Sequence, residues 1–295
     1  LVTGVQTCAL PISEPESVTP AEVRLFALRA ASGSVESAPL MASSIISRKV
    51  AEGSDAVVLD VKVGSGAHMK KQVTARRLAQ SMVATGRRLD KKVQALITDM
   101  NQPLGFAVGN ALEVMEVSQT LQNVGPADLT RLSLELAARL IHLGKVTATL
   151  EEARELATAK LLDGSGYRKL KEVIQAQGGD PKVLDRFELL PNATGAREIT
   201  CPRPGYIAGI DAEGIGRAAA MIGGSRENAG DPIDPAVGVI LEVKIGQKVD
   251  AGGVLCRLYY TNEENVEDAA QIVEDAFRIS AHTPDERNLI LEVVG

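Results

Sequence analysis

Along the chain, continuous apolar runs alternate with stretches whose apolar residues recur at helical spacing, which predicts a mixed α/β fold. Residues 56–63 (AVVLDVKV) and 93–100 (VQALITDM) are apolar, β-branched runs typical of strands that are buried on both faces. Between them, residues 73–89 carry apolar side chains at helical spacing opposite a basic face, as an amphipathic helix on a sheet does. The strand, helix, strand order predicts a right-handed parallel crossover.

A short helix is predicted immediately before the first of these strands. Ser37 is a plausible N-cap, Pro39 lies just inside the helix, and Gly53 closes its far end. One face of this helix carries, at helical spacing, Met41, Ser44, Ile45 and Arg48. This face presents a hydroxyl and a guanidinium four residues apart.

A second helix, predicted upstream over residues 18–29, brings another cation toward the same place. Pro20 suits its first position, and the helix delivers Phe26 and Arg29 to a Ser/Gly-rich turn. Because this turn folds the chain back before the next helix begins, Arg29 can approach the hydroxyl and the guanidinium.

A glycine-rich turn follows the first strand directly. Its sequence at 64–69 is GSGAHM, which includes His68. Ligands of open α/β sheets bind beyond the carboxyl ends of the strands. We therefore expect Arg29, Ser44 and Arg48 to converge on one pocket at this end of the strand.

The remainder of the chain is helical at first and then becomes β-rich. Helices are predicted over 111–121, 125–145, two pieces of 150–180, and 266–280, with a terminal strand over 288–295. The run 237–261 resembles the hammerhead turn of lipoyl and biotinyl carrier domains. Lys244 and Lys248 lie within its strand and turn, however, and not at a displayed hairpin tip, which favours an ordinary β subdomain.

Composition excludes several classes of function. A net charge of −6, a pI near 5.3 and the absence of Trp argue against a nucleic-acid partner, which would favour a basic face. No apolar run reaches the length of a membrane span, so no membrane partner is expected. The three cysteines have neither metal-ligand nor disulfide-framework spacing, which predicts a cytoplasmic location.

Three blocks of the sequence carry a resemblance to a known family. They are LR at 28–29, SAPLMASSIISRK at 37–49 and EGSDAVVLDVKVGSGAHM at 52–69. In this combination they resemble the thymidine and pyrimidine-nucleoside phosphorylases, and the likeness extends from about Val18 to the C-terminus. The family's base-binding arginine, serine and lysine correspond to Arg29, Ser44 and Arg48, which are the catalytic positions that the resemblance implies. Further substrate-binding positions that it implies are Phe26, Met41 and His68.

The chain departs from the family pattern at three places. Arg48 stands where the family usually has Lys, Ala30 where it commonly has Asp, and His68 where it has an aromatic residue. Lys and Arg are poor substitutes for each other at a tight site, so the preference among pyrimidine nucleosides stays open.

The resemblance implies an activity and its partners. The family splits thymidine or uridine with phosphate, the co-substrate, into the free base and a pentose 1-phosphate, and the complete protein is expected to be a homodimer. It also implies a potassium-like ion bound by the backbone oxygens of Leu104 and Ala107 and by the carboxylate of Glu116. Carbonyl and carboxylate oxygens suit a hard ion. Two other classes stay open: a pyrimidine-binding relative without catalysis, and a phosphoribosyltransferase of related fold, which would need a diphosphate-binding loop.

The resemblance also implies a division into domains. Residues 1–13 look like a translated sequencing adapter, 14–53 a remnant of a helical domain, 54–198 an α/β domain, and 199–295 a β-rich α+β subdomain. The expected fold is thus a mixed, mainly parallel sheet flanked by helices, with these additions at either end. The family's phosphate-binding loops precede the region matched here, so the chain by itself is expected to lack phosphorolytic activity.

Overall fold

A computed structural model describes residues 19–35, 37–225 and 232–295 of the chain. The adapter-like segment 1–13 lies outside these residues. In chain order the main elements are α1 (Pro20–Ala31), α2 (Ala38–Ala51), β1 (Ala56–Val63), α3 (Gln72–Arg88), β2 (Lys92–Asp99), β3 (Ala107–Val108), α4 (Asn110–Leu121), α5 (Ala127–Leu143), α6 (Leu150–Leu162), α7 (Ser165–Ala176), β4 (Gly195–Thr200), β5 (Gly205–Ile210), α8 (Ala212–Ala219), β6 (Gly238–Leu241), β7 (Lys248–Val249), β8 (Val254–Tyr260), α9 (Val266–Ala276), β9 (Phe277–Ser280) and β10 (Ile290–Val294).

The described residues form two compact units, each built from separate stretches of chain. The N-terminal unit contains the described parts of Pro11–Asp99, Arg131–Ala159 and Asn288–Gly295. The C-terminal unit contains the described parts of Met100–Thr130 and Lys160–Arg287. The domains predicted from the sequence are contiguous ranges of the chain, unlike these units, and their boundaries remain predictions.

The N-terminal unit is organised around a three-stranded sheet in the order β1, β2, β10. The predicted parallel pairing is found between β1 and β2, from Ala56 opposite Lys92 to Val63 opposite Asp99, with α3 in the connection. The terminal strand β10 runs antiparallel to β2. The sheet therefore has one parallel and one antiparallel pair, which agrees with the mixed α/β class.

The core of this unit lies between the sheet and the helices α2 and α3. Ala42 and Ile46 of α2 pack there with Met82 of α3 and with apolar side chains of β1 and β2. As predicted, Pro39 lies in the first turn of α2, and Gly53 follows its last turn with φ +80°. Ser37 occupies the N-cap position, although its side-chain oxygen accepts no capping hydrogen bond from the first turn.

The C-terminal unit is β-rich, as predicted, and its two sheets are antiparallel. One has the order β3, β6, β8, β4, and the other β7, β5, β9. The side chains of Ile207, Ile215, Leu241 and Leu258 belong to its core. Among the described residues, no helix has both the length and the hydrophobicity that a membrane span requires.

The predicted closing helix over 266–280 is too long. The helix α9 ends at Ala276, and Phe277–Ser280 forms β9, which pairs with β5. Phe277 is buried opposite Ile210, and the N–H of Asp211 donates to the carbonyl of Ala276. Pairing with a neighbouring strand thus stabilises the extended backbone over any continued helix.

Candidate functional site

Two of the predicted site residues meet at a carboxylate that the sequence did not single out. The hydroxyl of Ser44 donates to Oε1 of Glu22, and Nε of Arg48 donates to Oε2 at 2.7 Å. Nη2 of Arg48 lies 2.5 Å from the same Oε2. Ser44 and Arg48 lie one helical turn apart on α2, so they share a face. This face contacts Glu22 in the first turn of α1.

Arg29 has a different set of contacts. Its Nη2 donates to the carbonyl of Val35 at 2.7 Å, and its guanidinium lies 5.7 Å from the ring centroid of Phe26. Arg29 lies seven positions after Glu22, so both are on one face of α1, about 10 Å apart along its axis. Arg29 is buried, and its Nε has no hydrogen-bond partner among the described atoms. The structure thus ties Arg29 to the turn after α1 and leaves one buried donor unsatisfied.

The three additional substrate-binding positions differ in exposure. Phe26 and His68 are exposed, and Met41 is partly buried against the core of the N-terminal unit. The turn that carries His68 is compact, because the N–H of Gly64 donates to the carbonyl of Met69 at 3.1 Å. It directly follows the carboxyl end of β1, as predicted. The roles of these residues remain predictions.

A polar network that the sequence reasoning missed lies near the same end of the sheet. The ammonium of Lys62 lies 2.7 Å from Oδ2 of Asp60 and donates to the hydroxyl of Thr98 at 3.1 Å. That hydroxyl donates to Oδ1 of Asp60. Since Lys62 and Thr98 are directly opposite in the β1–β2 register, the pairing of the strands builds this network.

In the C-terminal unit, the loop before β3 wraps around the buried carboxylate of Glu116. Oε1 accepts the N–H groups of Phe106 and Ala107 at 2.7 and 3.0 Å. The second oxygen, Oε2, lies close to Gly105, where an added Cβ would approach it to 2.1 Å. Glycine at this position, with φ +68°, therefore lets the backbone pass beside the carboxylate.

The backbone of Ala107 faces Glu116 and turns away from the neighbouring strand. The carbonyl of Phe106 accepts the N–H of Leu241, so Ala107 occupies the next, non-hydrogen-bonded position of the β3–β6 pair. In a strand the N–H and C=O of one residue point to the same side. The N–H of Ala107 accordingly points to Glu116, and the role of its carbonyl as an ion ligand remains a prediction.

Lys244, in the turn between β6 and β7, brings a positive charge to this loop. Its ammonium donates to the carbonyls of Pro103, at 2.6 Å, and Gly105, and lies 2.9 Å from Oδ2 of Asp128. The N–H of Gly105 donates to the same Oδ2 at 3.2 Å. This role could not be predicted from the sequence, because Lys244 lies more than a hundred residues from its partners along the chain.

The charges of this loop influence one another. Burial raises the pKa of the Glu116 carboxyl, while the N–H groups of Phe106 and Ala107 and the Lys244 ammonium oppose that rise. Burial also lowers the pKa of Lys244, and the carboxylate of Asp128 acts in the opposite direction. The loop is therefore a partly desolvated site in which each charge depends on the others.

The oxygens expected to bind a monovalent ion differ from those that Lys244 engages, and the ion itself remains a prediction. Lys244 uses the carbonyls of Pro103 and Gly105, so those of Leu104 and Ala107 are not engaged by it. Among the described residues, no three His, Cys, Asp or Glu side chains are grouped as a metal site would require. A site with one carboxylate and backbone oxygens suits a hard ion of low charge.

Comparison with known proteins places the chain in a family. A family model for the glycosyl transferase family, a/b domain, matches residues 12–167, and one for the pyrimidine nucleoside phosphorylase C-terminal domain matches residues 206–280. The first of these matches alone covers more than half of the chain.

Several curated relatives share the name pyrimidine-nucleoside phosphorylase. The Bacillus subtilis (strain 168) protein is 43% identical over 92% of this chain and 62% of its own length. That of Geobacillus stearothermophilus is 41% identical over 96% of this chain and 65% of its own length. The protein of Staphylococcus aureus (strain USA300) is 42% identical over 92% and 62% respectively. The chain thus spans just under two thirds of the length of these relatives. With two family models and relatives of this similarity matching it, the chain belongs to the pyrimidine-nucleoside phosphorylase family of glycosyl transferases.

Proposed function

We propose that the protein to which this chain belongs cleaves the N-glycosidic bond of pyrimidine nucleosides with phosphate. An oxygen of phosphate forms a bond to C1′ of the pentose as the bond from C1′ to the base nitrogen breaks. The base leaves with the bonding electrons and then takes up a proton. The substrates are thus a pyrimidine nucleoside and phosphate, and the products are the free base and a pentose 1-phosphate.

One observation carries this proposal: the hydroxyl of Ser44 and the guanidinium of Arg48 converge on the two oxygens of Glu22. Glu22 accepts the single proton of the Ser44 hydroxyl, which leaves that oxygen free to accept a hydrogen bond from the ring, and Arg48 keeps further N–H groups that suit an oxygen of a pyrimidine gaining negative charge as it leaves. Preorganised donors at developing charge are typically worth roughly 10²–10³ in rate each. Glu22 orients Ser44 and Arg48, and is therefore a positioning residue.

The unsatisfied donor of Arg29 adds support. A buried N–H without a partner costs about 1–3 kcal/mol, and a carbonyl oxygen of the base would satisfy it. The side chain of Arg48 is 42% exposed, so a ligand can reach it from solvent. Arg29 and Arg48 would then supply the positive charge, and Ser44 a hydrogen bond that fixes the orientation of the ring.

We further propose that the loop before β3 binds one potassium ion. The carbonyls of Leu104 and Ala107 and the carboxylate of Glu116 would hold it. When bound, the ion would order the loop electrostatically and would take no part in bond making or breaking.

The proposal includes assembly and location. Homodimer formation is supported by Leu25 and Leu28, two apolar side chains that α1 exposes to solvent. A cytoplasmic location is supported by the free, buried thiols of Cys201 and Cys256. Light scattering of the protein made from the complete coding sequence tests the dimer; a monomer at micromolar concentration would contradict it.

The activity is tested on the protein expressed from the complete coding sequence. Uridine and thymidine should release uracil and thymine only when phosphate is present, with one pentose 1-phosphate formed for each base. Inosine, a purine nucleoside, serves as the control and should not react. Base release without phosphate would indicate a hydrolase, and nucleoside binding without turnover would favour the non-catalytic relative.

A further inference from the structure

The ammonium of Lys244 is held in place by three oxygens of the loop before β3. Two are the carbonyls of Pro103 and Gly105, and the third is Oδ2 of Asp128. Its side chain is only 13% exposed. Because an ammonium has three protons and each has an acceptor here, the charge is fixed within the loop.

Backbone contacts hold this turn against the loop independently of the ammonium. The N–H of Ile245 donates to the side-chain oxygen of Gln102 at 3.0 Å, and the N–H of Leu241 donates to the carbonyl of Phe106 at 2.9 Å. The position of residue 244 beside the loop therefore does not depend on its own charge. A substitution of Lys244 should change the electrostatics of the loop more than its backbone.

The three charged side chains that contact the loop have a net charge of −1 when all of them are ionised. Asp128 and Glu116 contribute two negative charges, and Lys244 contributes one positive charge. An unbalanced charge in a partly buried site is costly, so the loop favours one additional positive charge. A monovalent cation balances this charge, whereas a divalent cation would leave an excess of +1.

We propose that Lys244 determines the ion preference of this loop, by lowering its negative charge so that it accepts one monovalent cation and rejects divalent ones. The inference rests on the potassium site proposed above and adds a residue that selects the ion without binding it. Lys244 is thus a specificity-determining residue that acts through charge.

Removing the ammonium should reverse the preference. In Lys244→Met the carboxylates of Asp128 and Glu116 remain, and the carbonyls of Pro103 and Gly105 become available. A set of carboxylate and carbonyl oxygens with charge −2 is the kind that Ca²⁺ prefers. We expect the variant to bind Ca²⁺ at least ~10-fold more tightly than the unaltered chain, because the repulsion by a fixed positive charge is gone.

The experiment measures thermal unfolding of the full 295-residue chain in potassium, choline and calcium chloride at equal ionic strength. The unaltered chain should be stabilised by K⁺ relative to choline and not by Ca²⁺, and Lys244→Met should gain stabilisation by Ca²⁺. Lys244→Arg retains the charge and should behave like the unaltered chain. Lys248→Met, which removes an exposed lysine four residues away, is the matched control and should also leave the ion preference unchanged.

The outcomes separate the two proposals. An unaltered chain that responds equally to K⁺ and choline would overturn the potassium site itself. A K⁺ response together with an unchanged preference in Lys244→Met would overturn the role of Lys244 alone. Should Lys244→Met fail to fold, Asp128→Asn supplies a second test, because it brings the charge of the loop to zero. It should abolish the K⁺ response, and a retained response would contradict the charge argument.

Discussion

The contact between α1 and α2 predicts an unequal response to the removal of its two charges. The side chain of Glu22 is nearly buried, with 9% of its surface exposed, whereas the side chain of Arg48 is 42% exposed. Replacing Glu22 by Gln leaves a guanidinium that water can reach. Replacing Arg48 by Met leaves a buried carboxylate with only the hydroxyl of Ser44 as a partner. Arg48→Met should therefore destabilise the chain more than Glu22→Gln.

The magnitudes follow from these exposures. A hydrogen bond to a charged group contributes about 1.5–3 kcal/mol, and leaving a fully buried charge unpaired costs about 3–5 kcal/mol. Because Glu22 keeps one partner, we expect about 2–4 kcal/mol for Arg48→Met. Solvation of the exposed guanidinium limits the cost of Glu22→Gln to about 1 kcal/mol. The double variant removes both charges, so its cost should be about 1–2 kcal/mol less than the sum of the single variants.

The assay is urea unfolding followed by circular dichroism, with amide hydrogen exchange in Ala38–Ala51 as the local readout. Arg24→Met, which removes an exposed arginine from α1, is the matched control and should change the free energy of unfolding by less than about 0.5 kcal/mol. If the two single variants are equally destabilised and the double variant is additive, Glu22 does not hold Ser44 and Arg48, and the proposed arrangement of the site is wrong.

Two further predictions concern other parts of the chain. Gly105→Ala should cost about 2–4 kcal/mol in urea unfolding, because its Cβ would displace the Glu116 carboxylate and break its hydrogen bonds, whereas Gly178→Ala, at a similar positive φ in open space, should cost only about 1 kcal/mol. Equal costs would show that backbone strain alone matters at Gly105. Hydrogen bonds from Arg154, reinforced by Arg139, lower the pKa of Glu135 below its ordinary value of 4.5. The stabilisation is therefore present above pH 4.5 and lost as the pH falls through the lowered pKa, so Glu135→Gln should be less stable than the unaltered chain at pH 7 and approach it in acid; a difference that does not change with pH would contradict this.

Local signals predicted the elements of the N-terminal unit well. The position of α2 follows from Pro39 and Gly53, and the β1–β2 pair follows from two apolar runs joined by an amphipathic helix. These features depend on neighbouring residues, so the sequence alone contains the necessary information. The antiparallel return of β10 to β2 could not be predicted, because almost two hundred residues separate the two strands.

The candidate site was predicted in part for the same reason. The shared face of Ser44 and Arg48 follows from helical spacing, but their partner Glu22 belongs to another helix and resembles any acidic residue in a first helical turn. The seven-residue spacing of Glu22 and Arg29, which puts both on one face of α1, is the signal that could have indicated it. Lys244 gave no comparable signal, since only the pairing of β3 with β6 brings it to the loop.

The most direct test of the proposed function compares two substitutions of Arg48 in the protein made from the complete coding sequence. The measurement is kcat/KM for phosphate-dependent release of uracil from uridine. Arg48→Ala should lower it by roughly 10²–10³, because the cation that stabilises the departing base is lost. Arg48→Lys, which keeps the charge but not the shape, should lower it far less than Arg48→Ala, because a cation remains beside the departing base. Equal values for the two variants would show that Arg48 is only a charge near the end of a helix, and would contradict the assignment of the base-binding site to α1 and α2.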